Sequence, residues 1–492
     1  MLTKTPFLPG FPTLLCGSAK RKNQDIASDK YRELSENDLG ELSQQLRNEI
    51  PPEFLQSLSE TKRERVYTNV VTFWAFLGQV ISEDQSCRRA VSRVRQWYQK
   101  KNKKVPSSDT KSFCSARHSL PVEMLQKVNR HIYDQLDQEL SADCLWRGFS
   151  IYAEDGTSAH MPDTEDNQAT FPQPCTQDEG CGFPVVKLCG LINLGHGGLR
   201  DFTSSEIETS EHKGHDKLKE YLAKGDLLIG DRLYSSYEII AGLMDQEVQY
   251  IGRHHQARKI DFRRGKKIGK NQRLVTWNKP LQQQPGSCLS KEQWETLPAT
   301  LEMRLIRTKG PDREGKQRTL YVVTTLLNHI DYPAEEITSL YAHRWEIEVR
   351  FRDIKTTMGM ELLRTKTPEM IEKEILMYMI AYNLVRLLML KAGNLYGVNH
   401  RRISFKGTMQ ILEEARVNFV NIADKPRLRA EAKNGLLAEI ADQIVKERPG
   451  RSEPRHKKRR FKPYGWIQKP RHSYFSHFVY DDSPEKILDE CP

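Results

Sequence analysis

The chain has 492 residues, 38% of them hydrophobic, with a formal net charge of +11 and a sequence pI of about 9.0. That length exceeds one ordinary core and predicts about two to four structural units. No apolar run approaches the ~18 residues of a membrane span, the first twenty residues lack a secretory leader, and nine scattered cysteines fit a reducing cytosol rather than a disulfide framework.

Residues 1–145 read as mostly helical. The stretch SEDQSCRRAVSRVRQWYQKKNKK at 82–104 opens on a Ser/Asp cap signal and puts Cys87, Ala90, Val91, Val94 and Trp97 on one face. Arg88, Arg89, Arg93, Arg95 and Lys100 lie off it, which makes a basic amphipathic helix: a solvated surface in the plain reading, a DNA-binding face in the sharper one. A second helical stretch, LPVEMLQKVNRHIYDQL, follows a Pro-Ser-Ser break. From Trp146 the texture changes to short apolar runs ended by glycine: FSIYAEDGT, VVKLCGLINL, GDLLIGDRLY and VQYIGR. Such runs predict strands of a mixed or parallel sheet buried on both faces. Residues 254–285 are basic and irregular, with few core candidates. LEMRLIRT and RTLYVVTTLL then flank a glycine-containing turn and predict a hairpin. A long helix is expected after Pro333 and another from about Met370 to Leu390, before a basic, aromatic-bearing tail from Glu447.

The acids carry the chemistry. Asp155 closes FSIYAED and Asp231 closes LLIGD, where open α/β sheets place their sites. Either aspartate alone is most simply a turn former. On a helix turning about 100° per residue, Tyr341, Arg344, Glu348 and Lys355 fall within roughly 60° of one another. They sit beside the apolar stripe of Leu340, Ile347, Phe351, Ile354 and Met358, so an ordinary Arg344–Glu348 ion pair explains them less well than a groove does. Asp155, Asp231 and Glu348 converging on one point would repel unless a cation sat among them. Hard Mg²⁺ or Mn²⁺ suits carboxylate oxygens, and two such ions support in-line phosphoryl displacement. Arg344 and Lys355 would then clamp phosphate oxygens beside the metals, with Tyr341 on the backbone. Glu346 points elsewhere on the same helix. Cys175, Cys181 and Cys189 lack the paired spacing of a zinc site and read as separate buried thiols. His254 and His255 read as facing phosphate or solvent, and Asp163 and Asp166 as loop structure.

The spacing Tyr-x2-Arg-x3-Glu-x6-Lys resembles the signature of bacterial insertion-sequence transposases of the insertion-sequence-four family, within the DDE superfamily. DGTSAHMPDTEDNQATFPQP, GFPVVKLCGL, GDRLYSSYEIIAGL and ILMYMIAYNLVRLLML agree with it, over about 140–405. The resemblance implies an α/β fold: a ribonuclease-H-like mixed-sheet core with a β-rich insertion, a helical N-terminal region and a basic helical tail. The expected divisions are 1–145 for the helical region holding DNA ends, 146–253 and 331–405 for the core, 254–330 for the insertion and 406–492 for the tail. It further implies an Asp155/Asp231/Glu348 triad holding two Mg²⁺ (or Mn²⁺) ions and cut-and-paste transposition. The expected partners are transposon-end and target DNA, gripped in part by Arg88, Arg89 and Arg93, in a homodimeric synapse in the cytoplasm at the nucleoid, with no membrane. Trp277 or Trp294 is the candidate to support a hairpin intermediate by receiving a displaced base, against a plain core role. The rival readings are a catalytically inactive DNA-binding regulator and a general metal-dependent nuclease.

Overall fold

In the computed structural model the described residues are 40–59, 65–255, 258, 260–283, 286–311, 317–420, 422, 425–446, 467, 469–470 and 473. Residues 1–39, residues 312–316 of the turn between LEMRLIRT and RTLYVVTTLL, and most of the basic tail lie outside them. The chain divides into two compact units. One comprises 1–78, 86–120 and 415–433; the other comprises 79–85, 121–414 and 434–492.

The first unit is helical, as the sequence predicts. It contains α1 (Gly40–Gln45), α2 (Pro52–Ser57), most of α3 (Asn69–Ile81), α4 (Cys87–Lys100) and α5 (Lys111–His118). The basic helix begins later than predicted, at Cys87, because the Ser86 hydroxyl caps it by accepting from the Arg89 amide. Its buried face is Ala90, Val91, Val94 and Trp97. A buried Lys433–Glu49 pair, 2.8 Å apart, ties the 415–433 segment into this unit.

The second unit is α/β. Its helices are α6 (Val122–Glu139), α7 (Glu165–Thr170), α8 (Glu211–Leu218), α9 (Tyr237–Asp245), α10 (Lys291–Thr296), α11 (Ala334–Ala342), α12 (Trp345–Arg352), α13 (Pro368–Tyr396) and α14 (Phe405–Glu414). A last helix, Pro426–Ala441, is shared between the units. Nine strands form one mixed sheet: β1 (Ser150–His160), β2 (Val185–Asn193), β3 (Leu199–Glu206), β4 (Asp226–Gly230), β5 (Gln249–Arg253), β6 (Lys266–Gly269), β7 (Gln272–Asn278), β8 (Thr300–Pro311) and β9 (Gln317–Thr324). Their order is β3-β2-β1-β4-β5-β9-β8-β7-β6. The β1–β4 and β4–β5 pairs are parallel, and the rest are antiparallel.

Three sequence expectations need correction here. The basic stretch 254–285 is not irregular throughout, since it supplies β6 and β7, which hang on the edge of β8. β6 is the edge strand and β7 lies next to it, and their sparse apolar residues hid both. The first apolar run does not stop at Asp155: β1 continues to His160 as an antiparallel ribbon with β2. The long helix after Pro333 is broken. His343 and Arg344 donate to the carbonyls of Leu340 and Tyr341, both at 3.0 Å, in a tightened i→i−3 turn between α11 and α12.

The two faces of the sheet bury different helices. Alternation on β1 sends Tyr152 and Glu154 toward α8 and α9, where they join Leu218, Leu228, Ile240 and Tyr250. It sends Asp155 and Thr157 to the other face, with Phe351, Ile375 and Met379. Against the expectation that no run approaches a membrane span, α13 is long and apolar enough to cross one by length and composition, and 94% of its apolar window is buried within the fold. That makes it the central core helix.

At the head of β4, burial pushes the Asp226 carboxyl up to about 6, against a hydrogen bond from the Ala223 amide at 2.8 Å. A raised carboxyl pKa penalises the ionised form, so this group's stabilising contribution is present at low pH and lost as pH rises through about 6. Asp226→Asn keeps an acceptor for Ala223 without the charge. It is expected to raise the melting temperature at pH 8, with the gain vanishing toward pH 4, as measured by thermal unfolding across that range.

Candidate active site

Two strand ends and one helix define the site. Ala153 on β1 pairs with Ile229 on β4, and the two aspartates each lie two residues further along. Asp155 and Asp231 therefore lie at the same level just past the parallel pairing, Asp155 within β1 and Asp231 directly after β4. Helix α12 packs on β1, and Arg344 links its Glu348 to Asp155. Gly190, the β2 partner of Asp155, allows this approach: an added Cβ would lie 3.1 Å from the Phe351 ring. Beyond α12 the chain is pinned again, as His160 exchanges backbone hydrogen bonds with Glu361 (3.0 Å) and Leu363 (2.8 Å).

Arg344 stands at the centre. Its guanidinium donates to Asp155 Oδ2 at 3.4 Å and to Glu348 Oε1 at 3.0 Å, so two of the three acids are bridged by one cation. Asp155 Oδ1 accepts from the Gly156 amide at 2.9 Å, and Asp231 Oδ1 from the Leu233 amide at 2.6 Å. Burial pushes the Asp155 carboxyl up to about 6, and the nearby charges of Asp231 and Glu211 add to the rise. Tyr341 is half-buried beside Arg344 and Asp231, and burial raises its hydroxyl pKa as well. Lys355 lies in a π-helical turn, Asp353–Thr357, closed by the Met358 amide donating to the Asp353 carbonyl at 3.0 Å. Single π turns inside helical segments recur at functional sites.

The donor set is carboxylate oxygen throughout, which matches a hard divalent ion. Among the described residues, no group of three or more His, Cys, Asp or Glu side chains is drawn in to a metal centre's spacing. Arg344 supplies positive charge to Asp155 and Glu348, the two acids it pairs with.

Residues 146–384 match the family model described as a transposase DDE domain, and this span contains both strand ends, Glu348 and the helices that carry them. These residues are a transposase DDE domain. It is 27% identical over 359 residues to the transposase InsG for insertion sequence element IS4 of Escherichia coli (strain K12), an overlap covering 71% of this chain and 76% of that protein. The insertion-sequence-four resemblance expected from the signature is therefore borne out. The transposase acts on DNA, and a DDE domain implies dependence on divalent metal.

Other predicted residues fare unevenly. Arg88 is exposed on α4, whereas Arg93 donates to the Gly78 carbonyl at 2.9 Å, which engages it in packing. Trp277 and Trp294 are both buried, with Arg258 4.0 Å over the Trp277 ring and Lys279 5.7 Å over that of Trp294. His254 does not face solvent: it is buried edge-on to Trp277, and burial pulls its pKa down to about 4. Of the three cysteines only Cys189 is buried; Cys175 is exposed in a loop. Asp166 lies in the first turn of α7 rather than in a loop, while Asp163 accepts from Gln168. Glu346 does point elsewhere, to His343 at 2.7 Å and Arg350 at 3.4 Å. Burial pushes its carboxyl up, but these partners outweigh burial and hold it below the usual range.

Sequence reasoning missed three neighbours of the triad. Glu211 opens α8, and its carboxyl is raised by burial and by the charges of Asp231 and Glu154. The Ser210 cap before it was the available signal. Glu154 is fully buried and receives His215 Nδ1 at 2.7 Å. Tyr250 packs along β5 so that an added Cβ at Gly252 would collide with its hydroxyl. That hydroxyl reaches Ser235 Oγ at 2.9 Å and the Asp231 carbonyl at 3.4 Å. Gly252→Ala must push the ring aside, and is expected to cost about 1–3 kcal/mol of stability. Because the displaced hydroxyl also holds the Asp231 backbone, strand cleavage should fall while DNA-end binding holds, which parallel denaturation, gel-shift and cleavage measurements would register.

Proposed function

We propose that this transposase performs cut-and-paste transposition at a ribonuclease-H-like site in which Asp155, Asp231 and Glu348 hold two divalent ions, Mg²⁺ or Mn²⁺. The strand order β3-β2-β1-β4-β5, with acids at the ends of the central parallel pair, supports the core assignment. The observation that carries the site is Arg344 bridging Asp155 and Glu348: acids from distant parts of the chain are already gathered around a positive charge. When bound, the ions would acidify an attacking water or 3′-hydroxyl and neutralise charge on the leaving oxygen.

The chain's own residues do the rest. Asp155 and Glu348 would hold the metal, and Arg344, now paired with both, would then be free to pair with a phosphate oxygen of the DNA end. Tyr341, beside Arg344, orients that backbone, and Lys355 adds a second positive contact one turn beyond α12. The buried Glu154–His215 pair holds β1 to α8 beside Asp155. Arg88 and Arg89 on α4 contribute to holding the element's ends, within a homodimeric synapse in the cytoplasm at the nucleoid. Target DNA enters after cleavage.

The test is a reaction with purified protein, Mg²⁺ and DNA bearing the element's own inverted repeats. Nicking at the end and joining to a second duplex support the reading. Binding to the ends with no nicking in either metal would make the protein a regulator, and cleavage indifferent to end sequence with no joining would make it a nuclease.

A further inference from the structure

The helical unit contains a second chemically active cluster, built from sulfur. Cys87 is the first residue of α4, and Cys114 lies in the middle of α5. Their sulfurs are 3.9 Å apart. Arg117, one turn beyond Cys114, points Nη2 at both, 3.3 Å from Cys87 Sγ and 3.6 Å from Cys114 Sγ. The guanidinium is fixed there by two rings, with its central carbon 5.0 Å from the centroids of both Phe76 and Phe113. A cation this enclosed (8% exposed) stabilises negative charge on what it touches. We propose that Cys87 and Cys114 form a thiol–disulfide switch, closed by exchange with a small-molecule disulfide such as oxidised glutathione.

The chemistry needs no other component. The Cys114 thiolate attacks one sulfur of oxidised glutathione, forming a Cys114–glutathione mixed disulfide and releasing one glutathione thiolate. Cys87, losing its proton, then attacks the Cys114 sulfur. The bond to glutathione breaks, and the second glutathione leaves with the electron pair. Two protein thiols are oxidised and one disulfide is reduced; the two protons end on the two glutathione thiols. The surroundings favour Cys114 as the first nucleophile. A hydrogen bond from Cys87 brings its thiol down to about 5 against burial, helped by Arg117 and a hydrogen bond from Thr110. Tyr67 also faces Cys114, with Tyr98 and Arg95 near Tyr67 in turn; the Tyr67 ring lies 5.6 Å from Phe113, and its hydroxyl stays neutral because burial pushes it up to about 12. Closure would fasten the first turn of the basic helix α4 to α5.

The experiment uses the reduced full-length chain with oxidised glutathione at pH 5.5, quenched with acid and mapped by peptide mass. At that pH an ordinary thiol is almost wholly protonated. Allowing for the weaker nucleophilicity of a low-pKa thiolate, Cys114 should react about 30-fold faster than exposed Cys175. The wild-type product should be a Cys87–Cys114 disulfide that dithiothreitol reopens, and Cys87→Ser should accumulate the mixed disulfide on Cys114. The decisive readings come from the wild-type chain, so a poorly folded variant does not blunt them. Equal rates at Cys114 and Cys175, a mixed disulfide that persists in the wild type, or a cross-link joining other cysteines would overturn the proposal.

Discussion

Asp231→Ala is expected to lower strand cleavage at the element's ends by about 10³-fold or more while leaving end binding intact, because losing a metal-holding carboxylate removes several kcal/mol of transition-state stabilisation. Asp155→Ala and Glu348→Ala should behave alike, and combining two of them should add little, since residues that act as a unit fail together. Single-turnover cleavage and gel-shift titrations on the same DNA separate the two effects. Glu346→Ala is the control: its carboxylate is committed to His343 and Arg350, so cleavage should stay within a few fold of wild type. Equal losses from Glu346→Ala and Glu348→Ala would mean that α12 matters as scaffold rather than as chemistry.

Arg304→Ala is expected to give the largest loss of stability, about 3–5 kcal/mol. This β8 side chain is fully buried, a rare state for arginine. It donates to Gln272 on β7 and to the carbonyls of Leu326 (3.3 Å), Asn328 (3.4 Å) and Tyr332 (2.6 Å). Burial brings its pKa down to about 10, still far above neutrality, so it remains charged. Truncation leaves these acceptors dry and opens a cavity. The 326–332 segment leads directly into α11, so the loss should reach the site as well. Urea denaturation would read the stability change. A change below about 1 kcal/mol would mean that water replaces the guanidinium there.

Much of the site was legible because its chemistry demands particular residue types at particular places. Aspartates after apolar runs, and one glutamate spaced from Tyr341, Arg344 and Lys355, point to the proposed triad, and the structure joins two of its members, Asp155 and Glu348, through Arg344. The hydrophobic pattern also located the basic helix, the central strands and α13, where burial leaves a strong period. What stayed hidden has physical reasons. Strands β6 and β7 bury little, so their pattern is faint. The tightened turn at His343–Arg344 and the π turn at 353–357 change hydrogen-bond register without changing residue type, so a uniform helical wheel passed over both. Glu211 and Tyr250 reach the site from elements whose placement depends on sheet order rather than on local sequence. The sulfur pair was half visible: Cys87 was read as part of an apolar face, but nothing in the spacing announced Cys114 as its neighbour.

The central claim is that Asp155, Asp231 and Glu348 jointly hold divalent metal at a DNA end. The most direct measurement is Mn²⁺ binding, followed by electron paramagnetic resonance on the protein complexed with end DNA, for the wild type and for each triad residue changed to its amide. A marked weakening of Mn²⁺ binding in all three variants, with DNA affinity unchanged, is the predicted result. Mn²⁺ binding that is the same in all four proteins would contradict it.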